Sequence, residues 1–205
     1  HKAIRRQRQM CIRDRIWEDV KMDLAGNNEV TLEEMLDARE RRVFLQNSLI
    51  QTYNKPIISF TLNIPGPVKV FDKIPETFEE GVRKIRQALC DSAITVYHES
   101  EVREKTGYEA FFAADASPLV LKCLMSELED GTSVGRLYDI DIIRQDGCKV
   151  SREETGRPCR TCFICGRPAH ECSRSRRHSV EELIMHIEKL LGNTSKVPDN
   201  DRMKE

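Results

Sequence analysis

Three copies of one helix-start signal divide this chain into segments. Each copy is a Ser or Thr followed three residues later by Glu, a pair whose side chains can cap the first backbone N–H groups of a helix. The copies begin at Thr31, Thr77 and Ser179. Because apolar residues recur at helical spacing after each copy, we predict a helix at each of these positions.

The first predicted helix has apolar residues along one side. The repeating positions are Leu32, Met35, Leu36, Val43 and Ile50. We expect this side to be buried, which leaves Arg39, Arg41 and Arg42 free to point elsewhere.

Short segments rich in β-branched and aromatic residues lie between the helices, and we predict them to be strands. They cover residues 57–62, 93–98, 110–114 and 137–143. A further helix is predicted from Pro118, and Asp146-Gly147 predicts a hairpin into residues 148–151. The predicted fold class is therefore α+β, with a mixed sheet packed against helices and a small Cys-rich C-terminal subdomain.

The length of 205 residues fits a single core. We interpret residues 1–15 as a non-native or disordered leader, because Met10–Asp14 matches the translation of a sequencing-library adapter end; a natural basic arm is the alternative. Residues 16–191 are predicted to form one domain that includes a Cys-rich segment at 157–178. Residues 192–205 are predicted to be a disordered tail.

Charge is distributed unevenly along the chain. The net charge is -1, yet residues 149–178 carry eight basic and three acidic side chains. This basic block beside an acidic body indicates an anionic partner, although a solvated arginine-rich loop explains it equally well.

Composition excludes collagen, coiled-coil arrays and wholesale disorder. We find no membrane-spanning stretch and no secretory signal, so we expect a cytoplasmic protein.

Two acidic residues stand two positions apart in the last predicted strand. Asp139 and Asp141 should project from one face of it, with Ile140 on the other, because strand side chains alternate. Carboxylate and phosphate oxygens are the ligands that Mg²⁺ prefers, so this pair is a candidate magnesium site able to align a polyphosphate. The polar outer face of a half-exposed strand is the alternative. Glu127 and Glu129 lie just upstream and could add a carboxylate, although at least one of them is expected on a solvent-facing helix surface.

The stretch after the first strand is a second candidate site. Pro65 and Pro67 limit backbone freedom, Gly66 permits close approach, and Lys69 supplies a positive charge suited to phosphate. An ordinary rigid connector is the alternative interpretation.

Four cysteines fall within fourteen residues, at Cys159, Cys162, Cys165 and Cys172. Thiolates in Cys-x-x-Cys pairs can bind a tetrahedral Zn²⁺ together with a later cysteine and a histidine. Cys159 and His170 are further possible ligands, so spacing alone does not fix the choice of four; we predict a structural zinc site formed by Cys162, Cys165, Cys172 and His178. Free thiols in a basic loop are the alternative.

The order of these motifs resembles the CitX family, the apo-citrate lyase phosphoribosyl-dephospho-CoA transferases. The matching motifs are Ser59-Phe60-Thr61, Pro65-Gly66-Pro67-x-Lys69, Gly135-Arg136-Leu137-Tyr138-Asp139-Ile140-Asp141 and Cys162-x-x-Cys165-x6-Cys172-x5-His178. Two further patterns also resemble positions in the family: Arg39-x-x-Arg42-x3-Gln46 and Glu127-x-Glu129. The resemblance spans residues 30–191. Thr132-Ser133-Val134 departs from the family's His-Pro-Leu, and Cys159 is extra to the pattern.

This resemblance implies an enzyme with a nucleotidyltransferase-like site. Its substrate would be triphosphoribosyl-dephospho-CoA. The enzyme would transfer the 2'-(5''-phosphoribosyl)-3'-dephospho-CoA unit of this substrate to a serine of the citrate lyase acyl carrier subunit, and diphosphate would leave. Asp139 and Asp141 would hold Mg²⁺, with one of them or Glu127 accepting the serine proton. Arg136 and Lys69 would offset phosphate charge. The remaining implied substrate-binding residues are Ser59, Thr61, Gly66, Arg39 and Arg42.

Two other classes of function are consistent with the sequence. A zinc-dependent nucleic-acid-binding module is suggested by cysteines within arginine-rich sequence, and a non-catalytic scaffold would bind the carrier without labelling it. We expect neither nucleic acid nor membrane as a partner, because the body of the chain is acidic and aromatic residues are scarce near the cysteines.

Overall fold

The structure, a computed structural model, describes residues 28–193. The predicted leader and the tail from residue 194 onward lie outside these residues. The helices within this range are α1 (Leu32–Tyr53), α2 (Ile74–Asp91), α3 (Pro118–Asp130), α4 (Ala169–Ser175) and α5 (Val180–Asn193). The strands are β1 (Ile57–Leu62), β2 (Val96–Glu104), β3 (Gly107–Ala114) and β4 (Tyr138–Ile143). Short 3-10 turns occur at Gly135–Leu137 and Glu153–Thr155.

The four strands form one sheet in the order β2-β3-β1-β4. Every neighbouring pair is antiparallel, so the predicted α+β class is confirmed and the predicted mixed sheet is wrong. Helices α2 and α3 each join two strands that run the same way but have another strand between them. This βαββαβ order is the split βαβ arrangement of ferredoxin-like folds.

Helices cover both faces of the sheet. Helices α2, α3 and α5 bury apolar side chains against one face, where Phe60, Phe112 and Ile140 form the centre of the larger core. Helix α1 covers the other face through a smaller core around Ile50 and Phe111. Strand β4 lies at the edge of the sheet and packs beside α3.

Helix α1 buries only part of the side that its apolar residues predict. Ile50 is buried as predicted, but Leu32 is 77% exposed and Val43 is 54% exposed, whereas Ala38 and Gln46 are buried. The prediction is wrong for Leu32 and Val43 because much of this helix covers a polar part of the sheet, where its inward side carries polar residues.

Two of the three predicted helix starts are confirmed. Thr31 and Glu34 cap each other's backbone N–H groups at 2.9 and 3.2 Å, and Ser179 and Glu182 do the same at the start of α5. The start predicted at Thr77 is wrong. Helix α2 begins three residues earlier, and the Thr77 hydroxyl donates to the Lys73 carbonyl of the preceding turn at 2.7 Å.

Two predicted strands form a hairpin that is longer than expected, whereas the hairpin predicted at Asp146-Gly147 is shorter. Strands β2 and β3 are longer than predicted and meet at a two-residue turn, Lys105-Thr106, since Glu104 pairs with Gly107. After β4, Arg144 N–H donates to the Cys148 carbonyl at 2.8 Å, so the chain turns as predicted. The predicted partner strand is reduced to an isolated bridge between Ile143 and Lys149.

Within residues 28–193, no helix combines the length and the apolar content that crossing a membrane requires.

Candidate active site

A cleft of about 150 Å³ opens between α1 and the sheet. It collects residues from four separate parts of the chain. Those the sequence singled out are Arg39, Arg42, Thr61, Lys69 and Asp139. The cleft therefore places three cationic side chains and one carboxylate around a space suited to a small anionic group.

Polar contacts join α1 to the sheet beside this cleft. The Gln46 amide donates to the buried Ser59 hydroxyl at 2.9 Å. Arg42 donates from Nε and one Nη to the same carboxylate oxygen of Glu109, at 2.9 and 2.6 Å. Ser59 therefore supports the helix and is buried under it, while Arg42 is fixed at the wall of the cleft.

Lys69 reaches the cleft from the proline-flanked loop. Its ammonium donates to the Ile64 carbonyl at 2.7 Å. Burial lowers the pKa of Lys69 below its usual value of 10.5, and the nearby charge of Arg39 lowers it further. A bound anion would oppose both effects, because a nearby negative charge favours the protonated form of the ammonium.

Asp139 and Asp141 project from the same face of β4, as predicted. They pair with Thr61 and Ser59 of β1 respectively, while Ile140 is buried on the other face. Their surroundings differ. The Asp139 side chain is 50% exposed and lines the cleft, whereas Asp141 forms an ion pair with Lys149.

Along the free edge of β4, the edge away from β1, backbone N–H and carbonyl groups form hydrogen bonds with side chains. Glu129, which is buried, accepts from the Ile140 N–H at 2.8 Å, and Lys122 donates to the Ile140 carbonyl at 2.8 Å. Arg160 donates to the Tyr138 carbonyl at 2.6 Å. Burial raises the pKa of the Glu129 carboxyl, and the positive charge of Arg160 is the largest effect opposing that rise.

Arg160 links this arrangement to the cleft. Its guanidinium forms an ion pair with Glu129 and lies 4.0 Å from the Asp139 carboxylate. The Arg-rich composition of its segment does not single it out, so sequence reasoning missed it. Glu109 was missed too, although one carboxylate within the otherwise apolar end of β3 is a usable signal.

Three other predicted residues do not line the cleft. Glu127 lies on α3, which packs on the opposite face of the sheet, and its side chain pairs with Arg157 at 3.2 Å. Arg136 donates to Thr161 and lies over the Phe163 ring, 5.4 Å from its centroid. Gly66 instead faces the start of α5.

Gly66 permits a close approach, as predicted, but the group that approaches it is a side chain of the protein itself. Its φ is +80°, and a Cβ built there would lie 2.7 Å from Cγ1 of Val180. Both the backbone conformation and the space therefore require glycine.

The structure brings Cys162, Cys165, Cys172 and His178 together. Their candidate ligand atoms all lie within 4.8 Å of one another, and the sulfurs of Cys165 and Cys172 are 3.4 Å apart. His178 lowers the pKa of Cys165 to about 6, with the Arg167 backbone contributing. Cys165 in turn raises the pKa of Cys172 to about 11.

Cys159 stays outside this cluster, in line with its omission from the predicted ligands. Its thiol donates to Glu153 at 2.9 Å, and this neighbouring carboxylate raises the pKa of Cys159.

Comparison with known proteins gives a consistent result. The family model CitX, described as apo-citrate lyase phosphoribosyl-dephospho-CoA transferase, matches residues 30–194. A relative from Streptococcus pyogenes serotype M18, named probable apo-citrate lyase phosphoribosyl-dephospho-CoA transferase, is 37% identical over 166 residues, which cover 79% of this chain and 85% of the relative. A relative of the same name from Vibrio cholerae serotype O1 is 39% identical over 165 residues, covering 78% of this chain and 91% of the relative.

A third relative is considerably longer. Protein CitXG from Haemophilus influenzae is 32% identical over 166 residues, covering 81% of this chain but 36% of that protein. The matched region therefore also occurs within a larger polypeptide.

Proposed function

The chain belongs to the CitX family of apo-citrate lyase phosphoribosyl-dephospho-CoA transferases, and from this premise we propose that it modifies a serine of the citrate lyase acyl carrier subunit. As a member of this family it transfers a phosphoribosyl-dephospho-CoA group to apo-citrate lyase. We propose triphosphoribosyl-dephospho-CoA as the donor, and the cytoplasm as the place of reaction.

The proposed step is a substitution at phosphorus. The serine oxygen forms a bond to the innermost phosphorus of the triphosphate, the bond from that phosphorus to the next bridging oxygen breaks, and diphosphate leaves. The serine proton passes to a base. The site must therefore neutralise phosphate charge and hold a carboxylate near the attacking oxygen.

The cleft between α1 and the sheet supports this proposal more than any other observation. Arg39 and Arg42 come from α1, Lys69 from the loop after β1, and Asp139 from β4. A cleft of about 150 Å³ is smaller than the few hundred Å³ typical of sites that enclose a whole ligand. We propose that it receives the triphosphate end, with the nucleotide portion extending outside.

We propose that Asp139 and Asp141 bind the Mg²⁺ of this reaction. Their carboxylates share one face of β4, and hard oxygen donors are what Mg²⁺ requires. Bound there, Mg²⁺ would stabilise charge on the phosphates and the departing diphosphate. Asp139 is available from the cleft, whereas Asp141 would first have to leave its ion pair with Lys149.

Asp139 is also our preferred base for the serine proton. It is half exposed and lines the cleft, whereas Glu127 lies on the helix layer behind the sheet. A general base must come within hydrogen-bond reach of the proton that it removes, so position favours Asp139.

The basic stretch from Arg157 to Arg177 is the proposed docking region for the carrier subunit. Arg157 and Arg160 are engaged with acidic residues of α3. Arg174, Arg176 and Arg177 are exposed on or just after α4 and can meet an acidic surface.

The test is a labelling reaction followed by intact-mass measurement of the carrier subunit. Apo-carrier, precursor and Mg²⁺ are incubated with the wild type, with an Asp139→Asn/Asp141→Asn double variant, and with Asp37→Asn, which removes an exposed acid of α1 as a matched control. We expect a mass gain equal to the phosphoribosyl-dephospho-CoA unit with wild type and control, and strong loss of it with the double variant.

The labelling assay, together with a binding measurement on DNA and RNA, separates the competing functions. A scaffold would bind the carrier without changing its mass, and a nucleic-acid module would show salt-dependent affinity for DNA or RNA that does not need Asp139 or Asp141. Full labelling by the double variant would refute the proposed role of the two carboxylates.

A further inference from the structure

We propose that Cys162, Cys165, Cys172 and His178 bind one Zn²⁺ ion, and that this ion fixes the Cys-rich segment against the start of β4. The zinc site itself does not depend on the proposed function, because metal content measures it directly. The importance of Arg160 beside the cleft does rest on the proposed function.

The geometry of the donor set fits tetrahedral zinc. With Zn–S bonds of about 2.3 Å, tetrahedral ligand atoms lie about 3.8 Å apart. The four candidate ligand atoms lie within 4.8 Å of one another, and Cys165 and Cys172 are 3.4 Å apart at sulfur. Small side-chain rotations therefore bring all four to the required separation.

The histidine gives a second, independent indication. Nε2 of His178 is buried, and among the residues that the structure describes it has no hydrogen-bond partner. A buried polar atom without a partner costs free energy, and a metal bond would remove that cost. Cys162 and Cys172 are also buried, whereas Cys165 is exposed and His178 is half-buried, so two of the four ligands are shielded from solvent.

The local backbone is shaped to hold the ligands. The Cys162 N–H donates to the Arg167 carbonyl at 2.6 Å, and the Gly166 N–H donates back to the Cys162 carbonyl at 3.2 Å. Gly166 has a φ of +69°, which glycine adopts readily. This tight turn brings Cys162 and Cys165 to one side.

The cluster is connected to the cleft by neighbouring residues. Arg160 and Thr161 immediately precede Cys162. Arg160 contacts the Tyr138 carbonyl, Glu129 and Asp139, while Thr161 accepts two hydrogen bonds from Arg136. Because the segment buries few apolar residues of its own, we infer that zinc supplies the stability that keeps Arg160 in place. Arg160 is then a positioning residue for the amino end of β4.

Metal content tests the site. The full chain is produced with zinc supplied, purified under reducing conditions and analysed by elemental mass spectrometry for wild type, Cys172→Ser, His178→Ala and Cys159→Ser. We expect one zinc per chain in wild type and in Cys159→Ser, the matched control, and none in the other two. Wild type without zinc, or loss of zinc in Cys159→Ser, would overturn the assignment.

Two measurements keep the test independent of whether the variants fold. Metal-free wild type titrated with Co²⁺ should develop thiolate-to-cobalt charge-transfer bands and tetrahedral d–d bands that saturate at one equivalent; their absence would refute the site. Hydrogen exchange should become at least about tenfold faster in residues 160–178 after zinc removal, while β1 stays protected. Unchanged exchange in that segment would refute the positioning role.

Discussion

The Arg42 guanidinium donates two hydrogen bonds to a single carboxylate oxygen of Glu109, and this pair ties α1 to the second strand of the sheet hairpin. Glu109 is 6% exposed, so its charge depends on Arg42 for compensation.

Glu109→Gln should therefore destabilise the protein. The hydrogen bonds to a charged, buried group would be weakened, and we expect a loss of about 1.5–3 kcal/mol in the free energy of unfolding. Urea denaturation measures it. The control is Glu104→Gln, which breaks the exposed pair with Arg41 and should cost less than about 1 kcal/mol. Equal effects for the two variants would show that Glu109 is not specially dependent on its partner.

The two aspartates of β4 should differ in their effect on catalysis. Asp139→Asn removes the carboxylate that lines the cleft, and we expect labelling to slow by about 10²–10³-fold. Asp141→Asn should have a smaller effect, since Asp141 is paired with Lys149. Single-variant rates at saturating Mg²⁺ check the order. A larger loss with Asp141→Asn would contradict the order expected from their positions and would make Asp141 the more important of the two carboxylates.

The lowered pKa of Lys69 predicts an alkaline limit on activity. Because the ammonium loses its proton at a lower pH than an ordinary lysine, kcat/KM should fall as pH rises through that lowered pKa. Lys69→Arg keeps its charge and should move the falling limb to higher pH. A pH profile of labelling for the two proteins measures this, and identical limbs would exclude Lys69 as the titrating group.

Gly66→Ala should destabilise the chain through two separate effects. The left-handed backbone costs about 1–2 kcal/mol for a non-glycine residue, and the new Cβ would also collide with Val180. Gly156→Ala is the matched control, since its φ is +70° and nothing lies within 4 Å of an added Cβ. Adding Val180→Ala should recover only the collision cost. Thermal unfolding of the four proteins separates the contributions, and equal losses for Gly66→Ala and Gly156→Ala would exclude the collision.

Local signals predicted the parts of this fold that depend on local interactions. The caps at Thr31 and Ser179 involve residues three positions apart, so a short sequence pattern can find them, although the same pattern at Thr77 does not start a helix. The buried side of α1 could not be predicted in this way. Its partners Ser59 and Glu109 lie on two strands that come later in the chain, and they select Gln46 and Arg42 over the apolar residues of the same helix.

The candidate site was predicted unevenly for the same reason. Alternation along one strand correctly placed Asp139 and Asp141 on one face. Strand order decides what surrounds them, and no pattern within a segment encodes that order. Glu127 is close to Asp139 in sequence, yet it lies in the opposite layer, whereas Arg39 is a hundred positions away and shares the cleft with Asp139.

The side chains along β4 also determine how a protein substrate can approach. Lys122, Glu129 and Arg160 already occupy the outward N–H and carbonyl groups of Tyr138 and Ile140. An incoming peptide could not extend the sheet by adding a strand at this border without displacing all three. A partner that presents the proposed target serine would therefore not dock by strand addition at this border, and the same three residues oppose self-association of that kind there.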